Sequence, residues 1–135
     1  MVDLALQEKD GQMILEAVKE PDITDPIWGL AKEESEASPK RFKLGAVISK
    51  RGRIVTSSHN KFKSHPHFGN DNDYRWLHAE AAAIYSAKCK GINLKGATII
   101  VYRKHGRNAK PCSHCQKLIK EAGIKKVIYS CSTQP

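Results

Sequence analysis

The chain has 135 residues, 40% of them hydrophobic and 27% charged, enough for one domain with a real core and too few for two. No apolar run approaches the roughly 18–20 residues that span a bilayer, and the opening MVDLALQEKD has no basic stretch followed by an apolar one. A membrane span and a secretory signal are therefore not expected. The net charge of +9 is unevenly divided: residues 1–40 carry four basic against ten acidic groups (−6), and residues 41–135 carry nineteen against four (+15). Such a one-sided field favours an anionic partner, either a phosphorylated small molecule or nucleic acid.

Leu4, Leu6, Met13, Ile14, Leu15, Ala17 and Val18 suggest an amphipathic helix that ends before Pro21. Asp25-Pro26 starts a second helix, with Asp25 as its N-cap and Pro26 in its first position, running through Trp28 and Ala31 and stopping near Pro39. LGAVISK (44–50) reads as a buried strand, Arg51-Gly52 as a turn, and residues 53–57 as the returning strand of a hairpin. Residues 60–77 form a loop rich in His, Lys and aromatics. An Ala-rich helix runs from His78 to about Lys90 with Gly91 as its C-cap, and ATIIVY (97–102) is a strand. A basic loop over 103–111, a helix from Cys112 to Ala122 and a strand over 125–130 complete the chain.

Helices alternating with strands imply parallel crossovers, and the hairpin adds an antiparallel pair. The expectation is a three-layer α/β/α fold with a mixed sheet of about four strands. An acidic N-terminal helical extension (1–40) would precede a catalytic domain (41–135), all in one compact unit.

Two short motifs carry the chemistry. His78-Ala79-Glu80 and Pro111-Cys112-Ser113-His114-Cys115 each open a helix after a loop. One His and two Cys make three zinc donors of suitable softness, and three protein ligands leave one position open, the arrangement of a catalytic rather than a structural zinc. Cys112 and Cys115, three residues apart in a first helical turn, share a face where free N–H groups favour thiolates. Glu80, the only acidic residue between Asp73 and Glu121, is the natural proton carrier. Two other readings predict different things. A structural zinc in a non-catalytic nucleic-acid-binding module needs a fourth ligand from His65, His67 or His114. A thioredoxin-like redox CxxC leaves His78-Ala79-Glu80 unexplained. Cys89 is expected in the core and Cys131 free. His67, Trp76 and Arg107, from the two basic loops, are candidate substrate contacts.

His-Ala-Glu followed by Pro-Cys-x-x-Cys resembles the signature of the zinc-dependent cytidine/deoxycytidylate deaminase superfamily. The resemblance covers residues 42–130, including the hairpin LGAVISKRGRIVTSSHN. It implies a cytidine deaminase-like fold and one catalytic zinc held by His78, Cys112 and Cys115. It further implies proton shuttling by Glu80, a pyrimidine contact from the Ala79 N–H and a sugar contact from Asn60. The implied activity is hydrolytic deamination of the cytosine of a nucleotide or nucleoside such as dCMP, with deamination of cytosine or adenine in single-stranded DNA, RNA or tRNA as the alternative. A homo-oligomer, dimer or higher, and a cytoplasmic location are expected. Many relatives continue with a further helix and a fifth strand. With Pro135 following the last strand so closely, a sheet edge would stay exposed or be covered by a partner or by the N-terminal helices.

Overall fold

A computed structural model describes residues 13–38, 43–62, 76–104 and 108–131. Along the chain the elements are β1 (Ile14–Lys19), α1 (Pro26–Ala37), β2 (Leu44–Lys50), β3 (Arg53–His59), β4 (Lys61–Phe62) and β5 (Trp76–Leu77). They continue with α2 (Ala79–Cys89), β6 (Thr98–Arg103), α3 (Ser113–Glu121) and β7 (Lys126–Cys131). Five strands form one sheet in the order β1-β7-β6-β2-β3. β7 runs parallel to both β1 and β6, whereas β2 is antiparallel to β6 and β3.

The sheet is covered on both faces. From β2, Ala46 and Ile48 point into the main core with Ala79, Ala83 and Ile84 of α2, Ile119 of α3, and Ile99 and Val101 of β6. Gly45, one residue out of phase, meets α1 on the opposite face: a Cβ there would lie 2.0 Å from the Ala31 carbonyl oxygen. Trp28 of α1 meets Tyr102 edge-on at 6.5 Å on that face. Strands flanked on both sides lose the in–out alternation, which is why residues 45–49 are all buried. No described helix is long and apolar enough to cross a membrane.

α1 begins as its sequence dictates, with Asp25 Oδ1 accepting from the Ile27 N–H at 2.8 Å and Pro26 in the first turn. Gly91, at φ 70°, closes α2. The first element differs from expectation. Residues 14–19 are a strand, not the end of a helix; residues 4–12 lie outside the described residues. Pairing with β7 from Ile14↔Lys126 to Lys19↔Cys131 gives six residues a ladder and packs Met13 and Leu15 against the core. That tertiary gain outweighs the helical preference of Leu, Glu and Ala. β1 thus makes the sheet five-stranded and gives β7 a neighbour on each side, so the β7 edge is covered by an N-terminal strand.

The segment expected as one loop over 60–77 also contains structure. β4 and β5 pair antiparallel, with Lys61 opposite Leu77 and Phe62 opposite Trp76. Cys89, expected in the core, is exposed at the end of α2.

Candidate active site

Two helix N-termini build the site. His78 is the N-cap of α2 in an extended conformation (φ −66°, ψ 153°) and Cys112 is the N-cap of α3 (φ −69°, ψ 168°). Cys115 lies in the first turn of α3 and is buried. Gln116 secures the approach to that turn, its Nε2 donating to the Pro111 carbonyl at 2.9 Å. Sequence reasoning gave Gln116 no role, because the contact depends on how the loop meets the helix.

The His78 Nδ1 to Sγ distances are 3.3 Å for Cys115 and 3.8 Å for Cys112, and the three donor atoms lie within 4.8 Å of one another. Zinc bonds of about 2.0–2.3 Å at tetrahedral angles place neighbouring N and S donors about 3.6 Å apart, so this set fits zinc. His114 is not among the clustered donors; its Nε2 is buried without a hydrogen-bond partner. His65 and His67 lie outside the described residues. Among the described residues the site therefore offers three ligands.

Charge is distributed for metal binding. The Cys115 thiol and the His78 ring beside it hold Cys112 down to about 3, a thiolate at neutral pH. The hydrogen bond to Cys112 and then burial push Cys115 well above the usual thiol range, so the metal-free pair keeps one proton. Zinc binding must expel that proton. Zinc affinity is accordingly expected to rise about tenfold per pH unit between pH 7 and 9, measured by chelator competition, with one proton released per zinc. A pH-independent affinity would contradict this charge distribution.

Glu80, in the first turn of α2, is 4% exposed. Its Oε1 is buried without a hydrogen-bond partner in the structure. Burial raises its carboxyl above the usual range, against the opposing pull of a backbone hydrogen bond and the His78 charge. An orphaned buried carboxyl oxygen on the same helix end as a zinc donor is costly unless a ligand, a water or a metal meets it.

Ala79, fully buried, begins α2, where backbone N–H groups lack intrahelical acceptors. Asn60 is 2% exposed. Asn60 directly precedes β4 and His78 directly follows β5, the two strands pairing with Lys61 opposite Leu77. Trp76 lies in β5, its backbone two residues before His78. His67 and Arg107 lie outside the described residues, as do 63–75 and 105–107 of the two basic loops.

A mixed three-layer sheet with one His and two Cys converging on two helix N-termini defines a zinc-dependent hydrolytic deaminase. The description "cytidine and deoxycytidylate deaminase zinc-binding region" matches residues 28–131, and the chain belongs to that family. It is 36% identical to the deoxycytidylate deaminase of Enterobacteria phage T4 over an alignment covering 77% of this chain and 73% of that protein. The dCMP deaminase of cyanophage S-TIM5, solved with dCMP and dUMP, superposes with a TM-score of 0.65 at 27% identity, covering 85% of each chain. Cytidine deaminase from Burkholderia pseudomallei shares the fold, with a TM-score of 0.60 at 21% identity over 80% of this chain and 84% of that one.

Proposed function

We propose that the chain hydrolyses the exocyclic amine of deoxycytidine monophosphate, giving dUMP and ammonia. The observation that carries the chemistry is the buried, unpartnered Glu80 Oε1 beside three clustered zinc donors. The likeness to phage deoxycytidylate deaminases supports the substrate. So does the +15 charge of residues 41–135, which suits a phosphorylated ligand.

Zinc, held by His78, Cys112 and Cys115, supplies when bound the positive charge that brings the pKa of a water toward neutrality. Glu80 takes one proton from the water that attacks C4 and delivers it to ring N3, then takes the second from the resulting C4 hydroxyl and hands it to the departing amine. The C4–N bond breaks as the C4–O bond becomes a carbonyl, and ammonia leaves. A carboxyl held above its usual range suits this double duty, because it must both accept and donate near neutral pH. The Ala79 N–H donates to the pyrimidine carbonyl and Asn60 contacts the sugar. His67, Trp76 and Arg107 are the candidates for gripping base and phosphate. A homo-oligomer and a cytoplasmic location belong to the same reading.

The test compares dCMP, CMP, deoxycytidine and single-stranded oligonucleotides bearing one cytosine or adenine, with ammonia release as readout. The expected result is a kcat/KM for dCMP at least about 100-fold above that for any oligonucleotide, the discrimination available to a site built around polar ligand groups. Turnover of oligonucleotides alone, with binding that weakens steeply with salt, would move the protein to the polynucleotide-editing class.

A further inference from the structure

Among the described residues β1 is an edge of the five-stranded sheet and pairs with β7 alone. The Ile14 N–H donates to the Lys125 carbonyl at 3.0 Å, so Ile14, Glu16 and Val18 turn their backbone groups toward β7. Those of Leu15 and Ala17, one residue out of phase, point away from it. An open row of this kind invites another strand.

Beside that edge lies a cleft of about 350 Å³, lined by Met13, by Leu15 of β1 and by Gln116, Lys117 and Lys120 of α3. A cavity of about 150 Å³ takes a benzene ring, so this one has room for two aliphatic side chains. Its walls combine apolar groups with two lysines, and among the described residues neither lysine has an acidic partner.

Residues 1–12, outside the described residues, lead straight into the cleft at Met13. In their sequence Val2, Leu4 and Leu6 alternate with Asp3, Ala5 and Gln7, the period of a strand. The stretch carries three acidic groups against one basic, opposite in sign to the lysines of the cleft. Asp10-Gly11, between it and β1, is a strong hairpin signal. A connection this short permits only an antiparallel return. A turn centred on Asp10-Gly11 sets Glu8 beside Met13, Leu6 beside Leu15 and Leu4 beside Ala17. Directly opposed residues share a face, so Leu4, Leu6 and Glu8 fall on the side of α3.

We infer that residues 2–8 add a sixth strand to the sheet along β1, with Leu4 and Leu6 in the cleft and Glu8 facing Lys117 and Lys120. The occupant is this chain's own segment. It covers the open edge and braces the helix that carries Cys115.

The test uses zinc-loaded full-length chains. Amide exchange at Leu15 and Ala17 is expected to be at least about 100-fold slower in the parent than in Leu6→Asp, because pairing supplies acceptors that the described edge lacks. Gln7→Asp, on the other face, should change it less than about threefold. The Glu16 amide, turned to β7, should stay protected in all three. Unprotected Leu15 and Ala17 amides in the parent, or equal loss of protection in both variants, overturn the inference.

A cross-link identifies the occupant. Ala5 and Glu16 would be directly opposed without exchanging hydrogen bonds, and such Cα atoms lie about 4.5 Å apart, within reach of a disulfide. Oxidised Ala5→Cys/Glu16→Cys is expected to give a 5–16 disulfide by peptide mapping while running as a single chain on a non-reducing gel. A 5–16 disulfide between two chains would show that a second copy fills the cleft. That result, or no 5–16 disulfide at all, overturns the inference.

Discussion

Glu80→Gln is expected to lower kcat for dCMP about 10³-fold, with zinc content and fold retained. Gln has nearly the same shape but neither accepts nor releases a proton near neutral pH. The zinc donors, on His78, Cys112 and Cys115, are untouched by the change. The substitution should also stabilise the metal-free protein at pH 7. Burial raises the Glu80 carboxyl, so the folded state prefers its neutral form. That contribution is fully present below the unfolded value and is lost as pH rises through the folded one. A neutral amide removes the pH-dependent loss, and the urea midpoint should rise at pH 7 with the gain shrinking toward pH 4. Full activity in Glu80→Gln would remove Glu80 from the chemistry.

Gly45→Ala is expected to destabilise the fold by about 3 kcal/mol, a large share of the roughly 5–15 kcal/mol that holds a domain together. The added Cβ would sit 2.0 Å from the Ala31 oxygen and 2.7 Å from the Ser35 nitrogen. Both are backbone atoms of α1, so no side chain can swing away. Either α1 lifts from β2 or the strand shifts against β3 and β6. Urea unfolding of the metal-free protein measures the loss, and a midpoint unchanged from the parent would show that α1 is not seated as described.

The zinc donors were legible from the sequence because they lie in two compact motifs that open helices, and local signals set helix starts. Asp25-Pro26 and Gly91 marked helix ends for the same reason, since caps are satisfied within a few residues. β1 was misread because Leu15, Glu16 and Ala17 favour a helix locally, while the decisive interaction is a parallel ladder with β7 more than a hundred residues away. Ile14 and Val18, β-branched and two positions either side of Glu16, were the available strand signal. Cys89 was read as core from its place in an Ala-rich helix, but the helix ends at that residue and leaves it exposed. The hydrogen bonds that tie Asn60 to the Ser38 hydroxyl and the Leu44 N–H could not be read at all. Ser38 and Leu44 carry no motif, and their use depends on α1 and β2 arriving together at the end of β3. Gly45 did leave a trace, since a glycine inside an apolar strand often marks a close backbone approach.

The proposed deamination of dCMP requires one zinc held by His78, Cys112 and Cys115. The direct measurement is ammonia and dUMP formation from dCMP by protein stripped of metal and then titrated with zinc. The expected result is no turnover by the stripped protein and activity that rises linearly to a plateau at one zinc per chain. Equal turnover without metal, or none from folded protein carrying one zinc, would contradict it.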